Sequence, residues 1–186
     1  MGRKERNGNV IGYLPGTTVE MNMENGIQDF LNSLFAANGL VLSQVLQLTG
    51  LSAHTVQNWV KRKFVSPPVG KKYDCDQFCR IVIINMLNDI FQIDQITRMI
   101  DYVAAGTANA SSLIYTCFVD VLALVPGDAV RTATKLDAIV SKALAKRSVS
   151  GETLNRMQRV LRIMLLAHIS VQVRAEALLE LNTLDI

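Results

Sequence analysis

The residues of this chain best suited to chemistry are polar donors gathered in one short stretch. Thr55, Gln57, Asn58, Lys61 and Arg62 fall close together, and Lys71 and Lys72 follow soon after. Gln and Asn can bond adenine through a paired donor and acceptor, while Lys and Arg suit guanine edges or phosphate oxygens. Between Leu40 and Arg80 six basic residues stand against two acidic ones, a local net charge of +4 in a chain whose total is +3. All the net positive charge therefore lies in one segment, which suits an anionic partner bound locally. Charge by itself is equally consistent with the solvated end of a helix.

Other constellations favour structural readings. Cys75 and Cys79, four residues apart on an expected helix, share a face and with His54 or Asp76 could hold a thiophilic metal. Metal sites ordinarily draw on more ligands, so these are read as half-buried thiols and no metal is expected. The three cysteines imply no disulfide framework. His54 is expected exposed and within reach of phosphate, whereas His168 lies in an apolar helix and reads as a packed histidine. No histidine has a recognisable nucleophilic or carboxylate partner, and Gly-rich phosphate loops are absent from the sequence. The reading is non-enzymatic, with no cofactor. Arg156, Arg159 and Arg162 recur every third residue and read as a solvated face, the alternative being a second phosphate strip or a partner surface.

The elements that must position these residues follow from hydrophobic spacing. The chain has 186 residues, 49% of them hydrophobic and 19% charged, enough to bury a core. No apolar run is long enough to span a bilayer, and the start has no signal-peptide character, so a cytoplasmic location without membrane contact is expected. Residues 1–20 read as a loose lead-in with a turn at Pro15-Gly16. Ile27, Phe30, Leu31, Leu34 and Phe35 give a helical stripe that ends at Asn38-Gly39. A short helix to Gly50 and a second from Ser52 to about Arg62 come next. Phe64-Val65 is β-prone, and Val69 to Tyr73 has room for a very tight hairpin. Helices over 76–91 and from Asp94 to Gly106 complete the first half. A boundary is placed at Thr107–Ser112. Three helices are expected beyond it: one through Val125, one from Pro126 with Val130 inward to Leu144, and one capped by Ser150 whose stripe runs to Ile169.

Within this frame, residues 42–64 have the logic of a helix-turn-helix. Gly50 serves the sharp turn, Leu46, Leu51, Val56 and Trp59 form the small core, and the polar residues of the second helix face outward. The order of elements through Phe64-Val65, Pro67-Pro68, the basic hairpin and Tyr73 resembles the MerR-type winged helix-turn-helix over residues 40–106. The whole chain is similar to a bacterial family of unknown function with a MerR-like domain. The resemblance implies that the second helix enters the major groove of duplex DNA, that Lys71 and Lys72 in the wing contact phosphates, and that Tyr73 closes the wing. Where that family usually offers Arg and Tyr, this chain has Gln57 and Asn58. The family's single long dimerising helix is not matched, because the second half reads as several helices, and an antiparallel coiled coil is not expected.

The resulting expectation is an all-α protein with a winged helix-turn-helix at 24–106 and a helical bundle at 107–186. Its function would be transcriptional regulation in a bacterium, with double-stranded DNA as partner. The bundle would supply homodimer contacts, or bind a small apolar effector among Tyr115, Cys117, Phe118, Met157 and Met164. The alternative is a protein-interaction module that keeps the helix-turn-helix shape.

Overall fold

A computed structural model describes residues 12–21, 26–125 and 134–184. The first eleven residues of the expected lead-in lie outside the described residues, as do Pro126 and Val130. The elements in chain order are β1 (Gly12–Tyr13), β2 (Glu20–Met21), α1 (Ile27–Phe35), β3 (Leu40–Val41), α2 (Leu42–Thr49) and α3 (Ala53–Lys61). They continue with β4 (Lys72–Tyr73), α4 (Cys75–Leu87), α5 (Ile93–Ala104), α6 (Ala110–Leu122), α7 (Leu136–Leu144) and α8 (Gly151–Asn182). The protein is mostly helical, and among the described residues the strands form two antiparallel pairs, β1 with β2 and β3 with β4.

Asp74 starts the central helix. Its carboxylate accepts from the Gln77 N–H at 2.8 Å, and the Gln77 side chain accepts from the Asp74 N–H at 2.9 Å, so each satisfies a donor the helix start would leave open. From there α4 is apolar nearly all round: Phe78, Cys79, Ile81, Val82, Ile83, Ile84 and Leu87 are buried. A helix with this pattern must be covered on every side. It is packed by α2, α5 and α6, while α8 closes over α5, α6 and α7. The buried side chains of α4, α5, α6 and α8 belong to one continuous cluster, so the segment 107–112 joins parts of one core rather than separating two. Asp76 Oδ1 accepts from the Ser112 N–H at 2.9 Å across the same junction.

The segment 12–21 departs from a loose lead-in. Leu14 is buried, the Pro15 carbonyl accepts from the Tyr115 hydroxyl at 3.0 Å, and the Gly16 carbonyl accepts from Asn85 Nδ2 at 3.0 Å. Thr18 donates its N–H to the Leu48 carbonyl and its hydroxyl to that of Gln47. Gly16 has φ +73°, and a Cβ there would stand 2.6 Å from the Val82 carbonyl oxygen, so only glycine fits the approach. Leu14 and Val19 stand five positions apart across the Pro15-Gly16 turn, a spacing that matches neither a helical nor a strand period.

Two further differences concern extent. Phe64-Val65 forms no strand: Lys63 adopts φ 64°, and the N–H groups of Phe64 and Val65 both turn back to the Trp59 carbonyl. The last helix does not stop with its inward stripe at Ile169 but continues to Asn182, about 48 Å in all. Residues 170–184 are all exposed. No helix among the described residues is long and apolar enough to cross a membrane.

Candidate nucleic-acid interface

The pair α2–α3 turns at Gly50, which takes φ 70° and donates its N–H to the Leu46 carbonyl at 2.9 Å. A Cβ at Gly50 would meet the Thr18 methyl at 3.2 Å, so the N-terminal hairpin also crowds this turn. Ser52 caps α3, its Oγ accepting from the Thr55 N–H at 3.1 Å. Val45 and Thr49 of α2 and Val56 and Trp59 of α3 are buried, while Leu46 and Leu51 are half-buried.

Burial of Val56 and Trp59 orients the rest of α3. His54, Gln57, Asn58 and Lys61 are exposed and fall at i, i+3, i+4 and i+7, a single stripe. Among the described residues the side chains of Gln57, Asn58 and Lys61 have no hydrogen-bond or ion-pair partner. Thr55 differs from its expected neighbours: it is half-buried, and its hydroxyl lies 2.8 Å from that of Ser52. Arg62 ends the helix with its guanidinium 4.6 Å from the centre of the Phe64 ring, a stacking that holds it at the surface. Spacing could have added His54 to the expected stripe. Lys63, also exposed, could have been found from the basic run 61–63.

The hairpin is as tight as expected. Val69 and Lys72 exchange two backbone hydrogen bonds of 3.0 Å around Gly70 and Lys71, both with positive φ. Lys71 thus stands exposed at the tip. Lys72 is exposed too, but its Nζ donates to the Ala37 carbonyl at 3.0 Å, tying the strand to the end of α1. Tyr73 is 3% exposed, and burial raises its phenol pKa, so its ring belongs to the core behind the hairpin. Between α3 and the hairpin, Gln77 Nε2 donates to the Ser66 carbonyl, the Ser66 hydroxyl and the Pro67 carbonyl at 2.9–3.2 Å. This one buried amide fixes the loop that joins α3 to the hairpin.

The electrostatics of the segment follow from the same contacts. Arg80 is drawn inward to the Phe64 carbonyl and Asp101. Asp74 caps α4 and Asp76 bonds Ser112, so both acids of the segment are engaged in holding helix starts. Lys61, Arg62, Lys63, Lys71 and Lys72 remain exposed, and nothing in residues 107–125 or 134–184 covers them.

The matched family spans residues 19–118 and is described as a domain of unknown function, DUF1836. The chain belongs to the DUF1836 family. Its domain starts beside β2 and ends within α6, so the matched DUF1836 region crosses the boundary placed at 107. No curated protein and no solved structure matches the chain.

The remaining candidates sit in packing roles. Cys75 and Cys79 share the expected face of α4, and the hydrogen bond between their thiols lowers the pKa of the first and raises that of the second. Among the described residues no three His, Cys, Asp or Glu side chains gather as a metal site. His168 is half-buried, edge-on to Phe118 at 6.2 Å, and burial lowers its pKa. Arg156 and Arg159 both lie over the Tyr102 ring, at 5.2 and 5.5 Å, and Arg162 pairs with Asp137. That strip fastens α8 to α5 and α7. Tyr115, Cys117, Phe118, Met157 and Met164 are all buried in the core.

Proposed function

We propose that this protein binds duplex DNA as a bacterial transcriptional regulator of winged helix-turn-helix type. In this reading α3 enters the major groove, and Gln57, Asn58, Lys61 and Arg62 meet base edges and flanking phosphates. Thr55 serves the start of that helix. The Val69–Lys72 hairpin acts as the wing, with Lys71 on phosphate and Lys72 and Tyr73 holding the wing to the body. The observation that carries the reading is the stripe of unengaged donors on α3, whose opposite face is locked by Val56 and Trp59. The same segment exposes five cations, Lys61, Arg62, Lys63, Lys71 and Lys72, while its two carboxylates are engaged elsewhere. The protein acts without enzymatic chemistry, in the cytoplasm and as a homodimer. The exposed apolar residues of α8 support the dimer. Eight of the twelve exposed large hydrophobics of the described residues lie between Ile163 and Leu184.

The test is equilibrium binding to duplex DNA by wild type and by a variant with Lys61, Arg62, Lys71 and Lys72 changed to alanine. Loss of binding in a variant that still folds supports the assignment. Unchanged affinity refutes it. Absence of binding by the wild type at low salt would favour the protein-interaction reading, for which the same α8 residues provide a surface.

A further inference from the structure

A cleft of about 500 Å³ opens where α1, α4, α6 and the α7–α8 connection meet, away from α3 and the hairpin. Its volume falls in the range of small-molecule sites. Its lining is rich in polar groups: Gln28, Asn109, Ser112, Arg147, Ser148 and Ser150 line it, the Ser112 hydroxyl donating to the Asn109 carbonyl at 2.9 Å. Arg147 is the one formal charge among the described lining residues, and no carboxylate lines the cleft. Asp120 holds Arg147 through Nε and Nη2, which orients the guanidinium and leaves Nη1 unbonded among the described residues.

The start of α8 at this cleft has no side-chain cap, whereas the start of α6 has its Ser112 N–H held by the Asp76 carboxylate. Asn109 precedes α6 and Ser150 precedes α8, and neither side chain bonds its helix's first turn. Among the described residues the side chains of Asn109, Ser148 and Ser150 have no partner. Helix starts normally recruit such groups to satisfy open N–H donors. Here one open start, three exposed polar side chains without a protein partner and one arginine oriented by Asp120 surround the same space. A lining of polar groups with a single cation is complementary to an oxyanion that also carries hydroxyls.

We infer that this cleft binds a small hydroxylated metabolite bearing one oxyanion group. The oxyanion lies against Arg147 and the uncapped start of α8, and the hydroxyls pair with Asn109, Ser112 and Ser148. The site is independent of the DNA reading and uses none of its residues.

Cys75 provides a native reporter. It lines the cleft and is half-buried, whereas Cys79 and Cys117 are buried. The experiment follows alkylation of Cys75 by iodoacetamide, resolved by peptide mass, together with the melting temperature. Glycerol 3-phosphate, glycerate and inorganic phosphate are compared with chloride at equal ionic strength. The expected result is a slowing of Cys75 alkylation, threefold or more at saturation, accompanied by a higher melting temperature. Protection by glycerol 3-phosphate identifies a phosphate monoester, and protection by glycerate alone identifies a carboxylate. Asn109→Asp and Ser148→Glu each place a negative charge in the cleft and should abolish protection while melting as the wild type does without ligand. The Asn109 side chain bonds nothing in the first turn of α6, so that variant stays informative if Ser148→Glu fails to fold. Alkylation rates identical to chloride for all three compounds, or full protection in folded Asn109→Asp, would overturn the inference.

Discussion

Gln57 and Lys71 would present different chemistry to the proposed DNA partner, an amide on the exposed stripe of α3 and an ammonium at the tip of a two-residue hairpin. Lys71→Ala is expected to weaken binding to every duplex and to reduce the salt slope by about one, the signature of a single lost phosphate contact. Gln57→Ala is expected to cost about 1–3 kcal/mol at particular base pairs and little elsewhere. Parallel titrations of a base-substituted duplex series would check this. Equal losses on all sequences from both variants would contradict the division of roles. At this scale the sequence was informative wherever neighbours along one helix decide the outcome. Val56 and Trp59 inward forces Gln57, Asn58 and Lys61 outward. It was uninformative where the partner is distant: Lys72 is tied to Ala37, 35 positions away, and Tyr73 is buried behind the hairpin. Residue type marks Lys72 as a free surface cation and leaves the burial of Tyr73 open, and only the packing of α1 and β3 against them ties the ammonium and covers the ring.

Elements built on long apolar periodicities could be read from the chain, and those defined by a few residues could not. The stripes of α1, α5 and α6 announce helices because each repeats over several turns. β3 is two residues long and carries no pattern, yet it pairs with β4. The N-terminal hairpin depends on Leu14, Gly16 and carbonyls that reach Tyr115 and Asn85. Leu14→Ala should therefore destabilise the protein by about 2–5 kcal/mol in urea unfolding, the range for a buried leucine. An effect near zero would restore the loose lead-in. The distal part of α8 poses the opposite case. Beyond Ile169 its apolar residues have no core to face, and Leu166, Val173 and Leu181 lie on one side of the helix. Leu181→Glu is expected to convert a dimer to a monomer in sedimentation without lowering helix content. A wild type that remains monomeric at high concentration would leave this face without the role assigned to it.

For the molecule as a whole, one core organises everything that positions the interface. The cluster passes from Leu14 through α4 to α8, and the DUF1836 match runs across the same territory into α6. A boundary near 107 was attractive in the sequence because Thr107–Ser112 is small and polar. Composition cannot report that α6 then packs straight back onto α4. The helical class was legible because nearly every long segment is periodic at helical spacing, while the arrangement of those helices depends on contacts between distant faces. In the proposed function the chain grips the phosphate backbone with the cations of residues 61–72. The most direct measurement is the salt dependence of binding to random-sequence duplex DNA. Micromolar affinity at low salt that falls steeply toward physiological salt is expected, the mark of counterion release by several lysine and arginine contacts. Absence of binding at low salt, or an affinity indifferent to salt, would contradict it.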